Sequence, residues 1–184
     1  MQLSDLINEK MTLAGSEARE RSVELSNESE CDVTLTGQQA GALREAFSNL
    51  VLNAVQATEA GGKVTIQVSV QPATPDTRIR TAASTSAVLV LSVTDAGPGI
   101  PAETQQRVFE PFYSTKSRGT GLGLAIVQRR VVEIGGSVEL ASPVQDDHGT
   151  RFRVTVPFDA GKVKSDDGFP DRNATRCGGA LSAS

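Results

Sequence analysis

Two asparagines, Asn49 and Asn53, lie four residues apart in a segment whose apolar spacing predicts a helix. At about 100° per residue they share one side of that helix, and Phe47 and Leu50 lie on the other. Such a polar side is usually solvated, but asparagine is a poor helix former and Glu, Lys or Gln is more usual there. An amide oxygen can also fill one position in the octahedral shell of magnesium, with phosphates and waters in the others. The pair is therefore either an ordinary helix surface or part of a magnesium–phosphate site.

Asp95 follows an apolar, β-branched segment and precedes Gly97 and Gly99. A carboxylate at the end of a strand can accept a hydrogen bond from an exocyclic amino group, which adenine has and guanine lacks in that orientation. Glycines beside it would let the backbone approach a flat base closely. An aspartate two residues before a glycine is also common in turns that follow strands. On its own, the segment predicts either a turn or an adenine site.

Three alternating glycines, Gly119, Gly121 and Gly123, lie where a predicted helix over 122–134 begins. Free backbone N–H groups at a helix start form an anion site when no side chain obstructs the approach. Lys116 lies three residues before the first glycine and is either a solvated lysine or a phosphate contact. The glycines do not follow a strand and no G-x-x-x-x-G-K-[ST] segment exists, which excludes Rossmann and P-loop sites.

Four segments in one order resemble a known family. They are N-L-V-L-N-A at 49–54, D-A-G-P-G-I at 95–100, F-E-P-F at 109–112 and G-T-G-L-G-L at 119–124. They resemble the N, G1, F and G2 boxes of the ATP-binding catalytic domain of bacterial sensor histidine kinases. That domain belongs to the superfamily that also contains the gyrase, Hsp90 and MutL ATPase domains. The resemblance covers roughly residues 3–157.

The resemblance implies a role for several residues. Asn53 would contact Mg²⁺, Asn49 would help to line the phosphate site, and Asp95 would recognise adenine. Asn49, Asn53 and Lys116 are the implied catalytic residues, and ATP and Mg²⁺ are the implied cofactors. The implied nucleotide-binding set is Asn49, Asn53, Asp95, Gly97, Gly99, Ile100, Lys116, Gly119, Thr120, Gly121, Leu122, Gly123, Leu124 and Thr150.

Three further positions follow from the same resemblance. Thr150 matches a residue whose hydroxyl supports the adenine site through water. Phe109 and Phe112 are expected to pack the base of the ATP lid against the core. Ala96 departs from the family, which usually has Asn there. Because that side chain does not contact the base, we expect little loss of nucleotide binding.

The residue at position 49 distinguishes between members of the superfamily. The gyrase, Hsp90 and MutL ATPases have a glutamate there that orients the attacking water, whereas an amide is a poor general base. The resemblance therefore favours transfer of the γ-phosphate to a histidine on a separate dimerisation and phosphoacceptor hairpin. A response regulator would be the indirect partner in such two-component signalling. The alternatives are a hydrolytic ATPase switch, a serine kinase resembling anti-sigma factors, and an ATP-binding module without catalysis.

The chain has one histidine, His148, in a loop before the last predicted strand. No helix and no His-Glu or His-Asp box precedes it. We expect a solvent-exposed turn residue rather than a phosphoacceptor.

Composition and charge restrict the other classes of function. The chain has 184 residues, of which 38% are hydrophobic and 22% charged, as in a soluble globular domain. Its net charge is −4 and its basic residues are scattered, which excludes an electrostatic footprint for nucleic acid. No apolar run approaches the roughly 20 residues of a membrane helix, and the N-terminus has no apolar signal core. With two distant cysteines, these features predict a cytoplasmic segment without membrane contact.

The order of the predicted elements indicates the fold. Helices are predicted over residues 4–21, 38–58 and 122–134, and Ser4 is expected to cap the first of them. Strands are predicted over 23–25, 33–35, 64–70, 88–93, 137–141 and 150–156. A hairpin loop is predicted over 71–87. This order predicts an α+β two-layer sandwich. The resemblance implies the Bergerat type of ATP-binding fold, with a mixed, mostly antiparallel sheet covered on one face by helices. We expect one catalytic domain over 1–158 and a disordered tail over 159–184.

Overall fold

Helices and strands alternate in the chain but separate into two layers in the molecule. The structure is a computed structural model, and it describes residues 1–29, 31–73, 87–114, 120–144 and 148–158. The elements in these ranges are α1 (Leu3–Glu20), β1 (Glu24–Asn27), α2 (Gly37–Ala57), β2 (Lys63–Pro72), β3 (Ala87–Asp95), α3 (Ala102–Gln105), α4 (Gly123–Glu133), β4 (Ser137–Ala141) and β5 (Thr150–Phe158).

The five strands form one sheet in the order β1-β2-β3-β5-β4. β1 pairs with β2 in parallel, and the other three pairs are antiparallel. In the central pair, Asp95 at the end of β3 lies opposite Thr150 at the start of β5. The predicted α+β fold with a mixed, mostly antiparallel sheet is therefore confirmed.

Alternation along the strands places one face of the sheet against the helices. On β3, Leu89, Leu91 and Val93 are buried in the main core, together with Phe47 from α2 and Val127 from α4. Removing this apolar surface from water is the main favourable contribution to folding. The same alternation puts Asp95, two residues after Val93, on the helix-facing side of the sheet.

A capping box fixes the start of α2. The Thr36 hydroxyl accepts the backbone N–H of Gln39 at 3.3 Å, and the Gln39 side-chain oxygen accepts the backbone N–H of Thr36 at 3.2 Å. The Gln39 amide also donates to the carbonyl oxygen of Pro157 on β5 at 3.0 Å. These contacts fix the helix relative to the sheet and thereby fix the direction in which its polar side faces.

Two local predictions are wrong, and one short helix was missed. Ser4 does not cap α1, which begins at Leu3; its backbone N–H instead donates to the Asp32 carboxylate at 2.9 Å. Residues 33–35 are not a strand, because the pairing is limited to a single bridge between Gln2 and Thr34. The short helix α3 was not predicted, since it has no buried residue and so no apolar pattern.

The predicted tail over 159–184 and most of the hairpin loop over 71–87 lie outside the described residues. None of the helices in the described ranges combines the length and apolar character that crossing a bilayer would require.

Candidate functional site

The polar side of α2 faces the first turn of α4. A Cβ atom built on Gly123 would lie 3.1 Å from Oδ1 of Asn49 and 3.4 Å from Nδ2 of Asn53. Both asparagines are half-buried. The two amides therefore adjoin the N-terminus of a helix, whose free N–H groups and dipole favour an anion. The structure brings together two predicted parts of the site that are far apart in the sequence.

The two amides differ in their own hydrogen bonds. Nδ2 of Asn49 donates to the carbonyl oxygen of Glu45, one turn earlier in the helix, at 2.9 Å. Within the part of the chain that the structure describes, the Asn53 side chain has no hydrogen-bond partner. An amide oxygen without a protein donor can accept from water or contact a metal ion. Asn53 therefore fits the predicted magnesium ligand, and Asn49 fits a phosphate-site residue of fixed orientation.

An ion-pair network holds the last turn of α4 against α2. The Arg130 guanidinium contacts Glu45 on α2 and Glu133 on its own helix. Glu133 and then Glu45 raise the pKa of Arg130, and Arg130 followed by Arg129 lowers the pKa of Glu133. These side chains are well exposed, so solvent screens the pairs and limits their contribution to stability. The network helps to align the two helices and adds no group to the site.

Asp95 lies at the end of β3 with its carboxylate in the interior. It is 5% exposed, and its Oδ1 accepts the backbone N–H groups of Gly97 at 3.0 Å and Thr150 at 3.2 Å. A buried carboxylate requires such partners, because burial without them is costly. These two contacts fix the orientation of the carboxylate. Asp95 therefore fits the predicted acceptor for an amino group, with Thr150 beside it.

The glycines after Asp95 have reasons within the protein itself. A Cβ atom on Gly97 would lie 2.6 Å from the carbonyl oxygen of Ala57, at the end of α2. Gly99 has a φ of +81°, and its Cβ atom would lie 3.1 Å from the Ser142 hydroxyl. From the sequence alone, both glycines are expected to allow the close approach of a base. Close packing at Gly97 and the left-handed backbone at Gly99 are sufficient to explain them.

The loop that follows Asp95 is tied to the connection between β4 and β5. The N–H of Gly149 donates to the carbonyl of Gly97 at 2.7 Å, and the N–H of Ile100 donates to the Ser142 hydroxyl at 2.7 Å. Nε2 of Gln105 donates to the carbonyls of Ile100 and Ser142, each at 2.8 Å. Sequence reasoning missed Ser142 and Gln105, because neither residue type is unusual in a loop and their partners are distant in the chain. Ile100 itself packs on the main core.

One side of α2 connects the two halves of the site. Asn49, Asn53 and Ala57 are spaced by four residues, so they follow one another along the helix over about 12 Å. The first two face Gly123, and the carbonyl of the third faces Gly97. The end of the site at Gly123 and the end at Asp95 therefore adjoin the same helix.

The base of the predicted lid is only partly packed. Phe109 contacts Phe152 edge to face, with ring centroids 6.2 Å apart, as predicted for a packing residue. Phe112 is 78% exposed, so the prediction that it packs on the core is wrong. Its backbone lies too close to Gly121 for any side chain there: a Cβ atom on Gly121 would lie 2.4 Å from the carbonyl carbon of Phe112. This tight backbone contact, with a φ of 66° at Phe112, accompanies an outward-facing ring.

The remaining predicted residues divide into two groups. Lys116 and Gly119 lie outside the described residues, so their roles stay predictions. The Thr120 hydroxyl accepts the N–H of Leu122 at 3.4 Å, just before α4 begins. Leu124, in the first turn of α4, packs on the main core.

His148 is exposed, as predicted, and its carbonyl oxygen accepts the N–H of Val144 at 3.1 Å. The described ranges contain no group of three or more His, Cys, Asp or Glu side chains that could hold a metal ion.

Comparison with known proteins identifies this arrangement. The family described as histidine kinase-, DNA gyrase B-, and HSP90-like ATPase matches residues 38–160, which include both halves of the site. The chain belongs to this family. Among its relatives, sensor histidine kinase ZraS of Escherichia coli (strain K12) is 32% identical over 155 residues, 84% of this chain and 30% of that protein. Sporulation kinase C of Bacillus subtilis (strain 168) is 31% identical over 158 residues, 85% of this chain and 33% of that protein.

Solved structures of other proteins share the fold of this chain. The mycobacterial sensor histidine kinase MprB has a TM-score of 0.66 at 26% identity and covers 85% of this chain and 95% of that one. Full-length ShkA in complex with AMPPNP has a TM-score of 0.67 at 26% identity and covers 90% of this chain and 31% of that one. The chain spans about a third of the length of the curated relatives that it matches.

Proposed function

We propose that the chain binds Mg²⁺–ATP and transfers the γ-phosphate to a histidine on a separate dimerisation and phosphoacceptor hairpin, in two-component signal transduction. The observation that carries the proposal is the position of the Asn49 and Asn53 amides against Gly123. A helix N-terminus beside two amides suits phosphate oxygens, because its N–H groups and dipole favour negative charge. The names of the relatives, which are sensor histidine kinases, support the same class of reaction.

At the base end, Asp95 and Thr150 would hold adenine. The Asp95 carboxylate would accept the exocyclic amino group, and the Thr150 hydroxyl would act through a water molecule. Their relative position is fixed by the hydrogen bond from the Thr150 N–H to Oδ1 of Asp95 at 3.2 Å. This contact supports the proposal, since a rigid acceptor pair discriminates between amino and oxo groups at little entropic cost.

At the phosphate end, the chain would position the reacting group. Phosphoryl transfer depends mainly on alignment and on stabilisation of charge. Asn53 would hold magnesium through Oδ1, Asn49 would orient a phosphate, and Lys116 would contact phosphate oxygens. When bound, magnesium would supply neutralisation of the phosphate charge. The backbone N–H groups at Gly121 and Gly123 would bind phosphate oxygens.

Transfer is preferred to hydrolysis because of Asn49. Its Nδ2 donates to the Glu45 carbonyl, and an amide has no basic form that could remove a proton from water. The site therefore has no general base at this position. A nucleophile with its own reactive nitrogen, such as a histidine ring, does not need one.

The partner domains are proposals of the same kind. The acceptor histidine would belong to another domain, in a longer chain or in trans, because His148 lies exposed in the β4–β5 connection. A response regulator would then receive the phosphate from that histidine. We place the reaction in the cytoplasm, where ATP is available and cysteines remain reduced.

The test is incubation of the chain with radiolabelled ATP and Mg²⁺, with and without a separately expressed phosphoacceptor hairpin. We expect acid-labile label on the hairpin alone, with none on His148, read by mass spectrometry under conditions that preserve phosphohistidine. A hairpin whose histidine is replaced by glutamine is the matched control. Acid-stable label on serine would indicate a serine kinase, and free phosphate without an acceptor would indicate a hydrolytic ATPase. Stoichiometric phosphate on His148 would contradict the separate-acceptor proposal.

A further inference from the structure

The Ser142 hydroxyl lies between three polar partners. The N–H of Ile100 is 2.7 Å away, the carbonyl oxygen of Gly149 is 3.0 Å away, and the Thr150 hydroxyl is 3.3 Å away. A hydroxyl has one proton to donate and two positions at which it accepts. Three partners therefore satisfy the Ser142 hydroxyl completely. One of them accepts its proton, and the other two donate to its oxygen.

Two of the three directions follow from the chemistry of the partners. The Ile100 N–H can only donate, so Ser142 accepts there. The Gly149 carbonyl can only accept, so the single proton of Ser142 is directed to it. The proton in the contact between Ser142 and Thr150 must then come from the Thr150 hydroxyl. That hydroxyl, with its only proton engaged, can act toward any further group only as an acceptor.

This direction matters because Thr150 lies directly opposite Asp95. Both are buried, at 3% and 5% exposure, and the Asp95 carboxylate accepts hydrogen bonds, as it does from Gly97 and Thr150. We propose that Ser142 determines the purine specificity of the site: by engaging the Thr150 proton, it leaves two acceptors that select a 6-amino purine over a 6-oxo purine. Ser142 is a positioning residue that acts through Thr150, directly on the base or through one water. The inference rests on the proposed binding of an adenine nucleotide.

Gln105 provides a matched control, because it holds the same loop without directing a hydroxyl. Its Nε2 donates to the carbonyls of Ile100 and Ser142 and leaves the contact between Ser142 and Thr150 unchanged. Gln105→Met should therefore loosen the loop and weaken all nucleotides alike. A loss of selectivity in the Ser142 variant, but not in Gln105→Met, would separate the effect of Ser142 from a general loosening of the loop.

The experiment compares the affinities of ADP and inosine diphosphate for the full chain by calorimetry. The two nucleotides share sugar and phosphates, and their bases differ at the 6-position and in the proton on the neighbouring ring nitrogen. In Ser142→Ala the Thr150 hydroxyl is released and can donate to a 6-oxo group. We expect the affinity ratio of ADP to inosine diphosphate to fall about fivefold or more. Gln105→Met should leave the ratio unchanged, and Ser142→Thr, which keeps the hydroxyl, should restore it.

A double-mutant comparison checks that the effect passes through Thr150. In a Thr150→Val background, Ser142→Ala should produce no further change in the ratio. If Ser142→Ala does not fold, Ser142→Cys serves instead, since a thiol is a weak donor and acceptor. An unchanged ratio in the Ser142 variant, with ADP affinity reduced as in Gln105→Met, would overturn the inference. Failure of the wild-type chain to bind ADP would instead contradict the proposed function on which it rests.

Discussion

The two ends of the candidate site are built differently. At the base end, Asp95 and Thr150 are buried, and hydrogen bonds with Gly97, Ser142 and Gly149 hold the surrounding loops together. At the phosphate end, Asn49 and Asn53 are half-buried beside a glycine turn. There, among the described residues, the Asn53 amide has no protein partner.

The difference reflects the cost of leaving a polar group without a partner. A carboxylate inside the sheet must be hydrogen-bonded in the folded chain, whereas a half-exposed amide can be hydrated. Protein contacts therefore already shape the base end, and the phosphate end keeps polar capacity for a ligand. Substitutions that crowd the backbone at the base end should accordingly affect folding, whereas those of the amides at the phosphate end should affect function without loss of stability.

Gly97→Ala should have the largest effect on stability. The new Cβ atom would lie 2.6 Å from the Ala57 carbonyl oxygen, and neither backbone can move without displacing α2 or β3. We expect thermal or urea unfolding to show a loss of about 3 kcal/mol. Gly41→Ala is the control, because nothing lies within 4 Å of its Cβ position on α2. It should stabilise the helix by about 0.5–1 kcal/mol.

If Gly97→Ala unfolds at the same denaturant concentration as the wild type, the base end is not rigid. The contrast between the two ends would then fail at its first step.

Asp95→Asn should separate binding from folding at the base end. The amide keeps an oxygen for the N–H groups of Gly97 and Thr150, but it loses the charge and the second acceptor oxygen. We expect ADP affinity to fall by about 1.5–3 kcal/mol in calorimetry, with a smaller change in melting temperature. Equal ADP affinity in the variant and the wild type would remove Asp95 from the site.

Asn53→Ala, at the phosphate end, should show the opposite pattern to Gly97→Ala. Alanine has a higher helix propensity, and in the described chain no hydrogen bond of Asn53 is lost, so we expect stability to rise by about 0.5 kcal/mol. Magnesium-dependent transfer to the hairpin should fall at least about tenfold, or about 1.4 kcal/mol. Asn53→Asp, which adds a charge beside phosphates, should also impair transfer. A variant that melts normally and transfers phosphate at the wild-type rate would remove the metal assignment.

Local periodicity predicted the elements better than their contacts. The pattern of α2 was predicted to within a residue, because it depends on residues close in sequence. The segment 33–35 shows the limit: Val33 and Leu35 are buried alternately as in a strand, but their backbone pairs with the chain just before and at the start of α1. A partner that immediately becomes a helix cannot continue a ladder.

The candidate site was predicted in part for the same reason. The helical wheel placed Asn49 and Asn53 on one side, but only the packing of α4 against α2 shows that Gly123 lies beside them. Ser142 contacts Ile100 at a sequence separation of 42 residues, and an ordinary serine before a proline carries no signal of that contact. Phe112 was misassigned because a phenylalanine suggests burial, whereas its exposure follows from backbone geometry.

Substitutions of Phe112 should have the smallest effect and test whether the base of the lid belongs structurally to the phosphate end. The ring is 78% exposed, so Phe112→Ala removes little buried surface and should change stability by no more than about 0.5 kcal/mol. Phe112→Gly should stabilise the chain by about 0.5–1 kcal/mol relative to Phe112→Ala, because a φ of 66° is strained for a residue with a Cβ atom. Phe109→Ala, which breaks the edge-to-face contact with Phe152, is the control and should cost more than either. Urea midpoints that place Phe112→Gly below Phe109→Ala would show that the exposed ring supports the fold. The contrast between a hydrogen-bonded base end and a phosphate end that keeps polar capacity for a ligand would then not extend to the base of the lid.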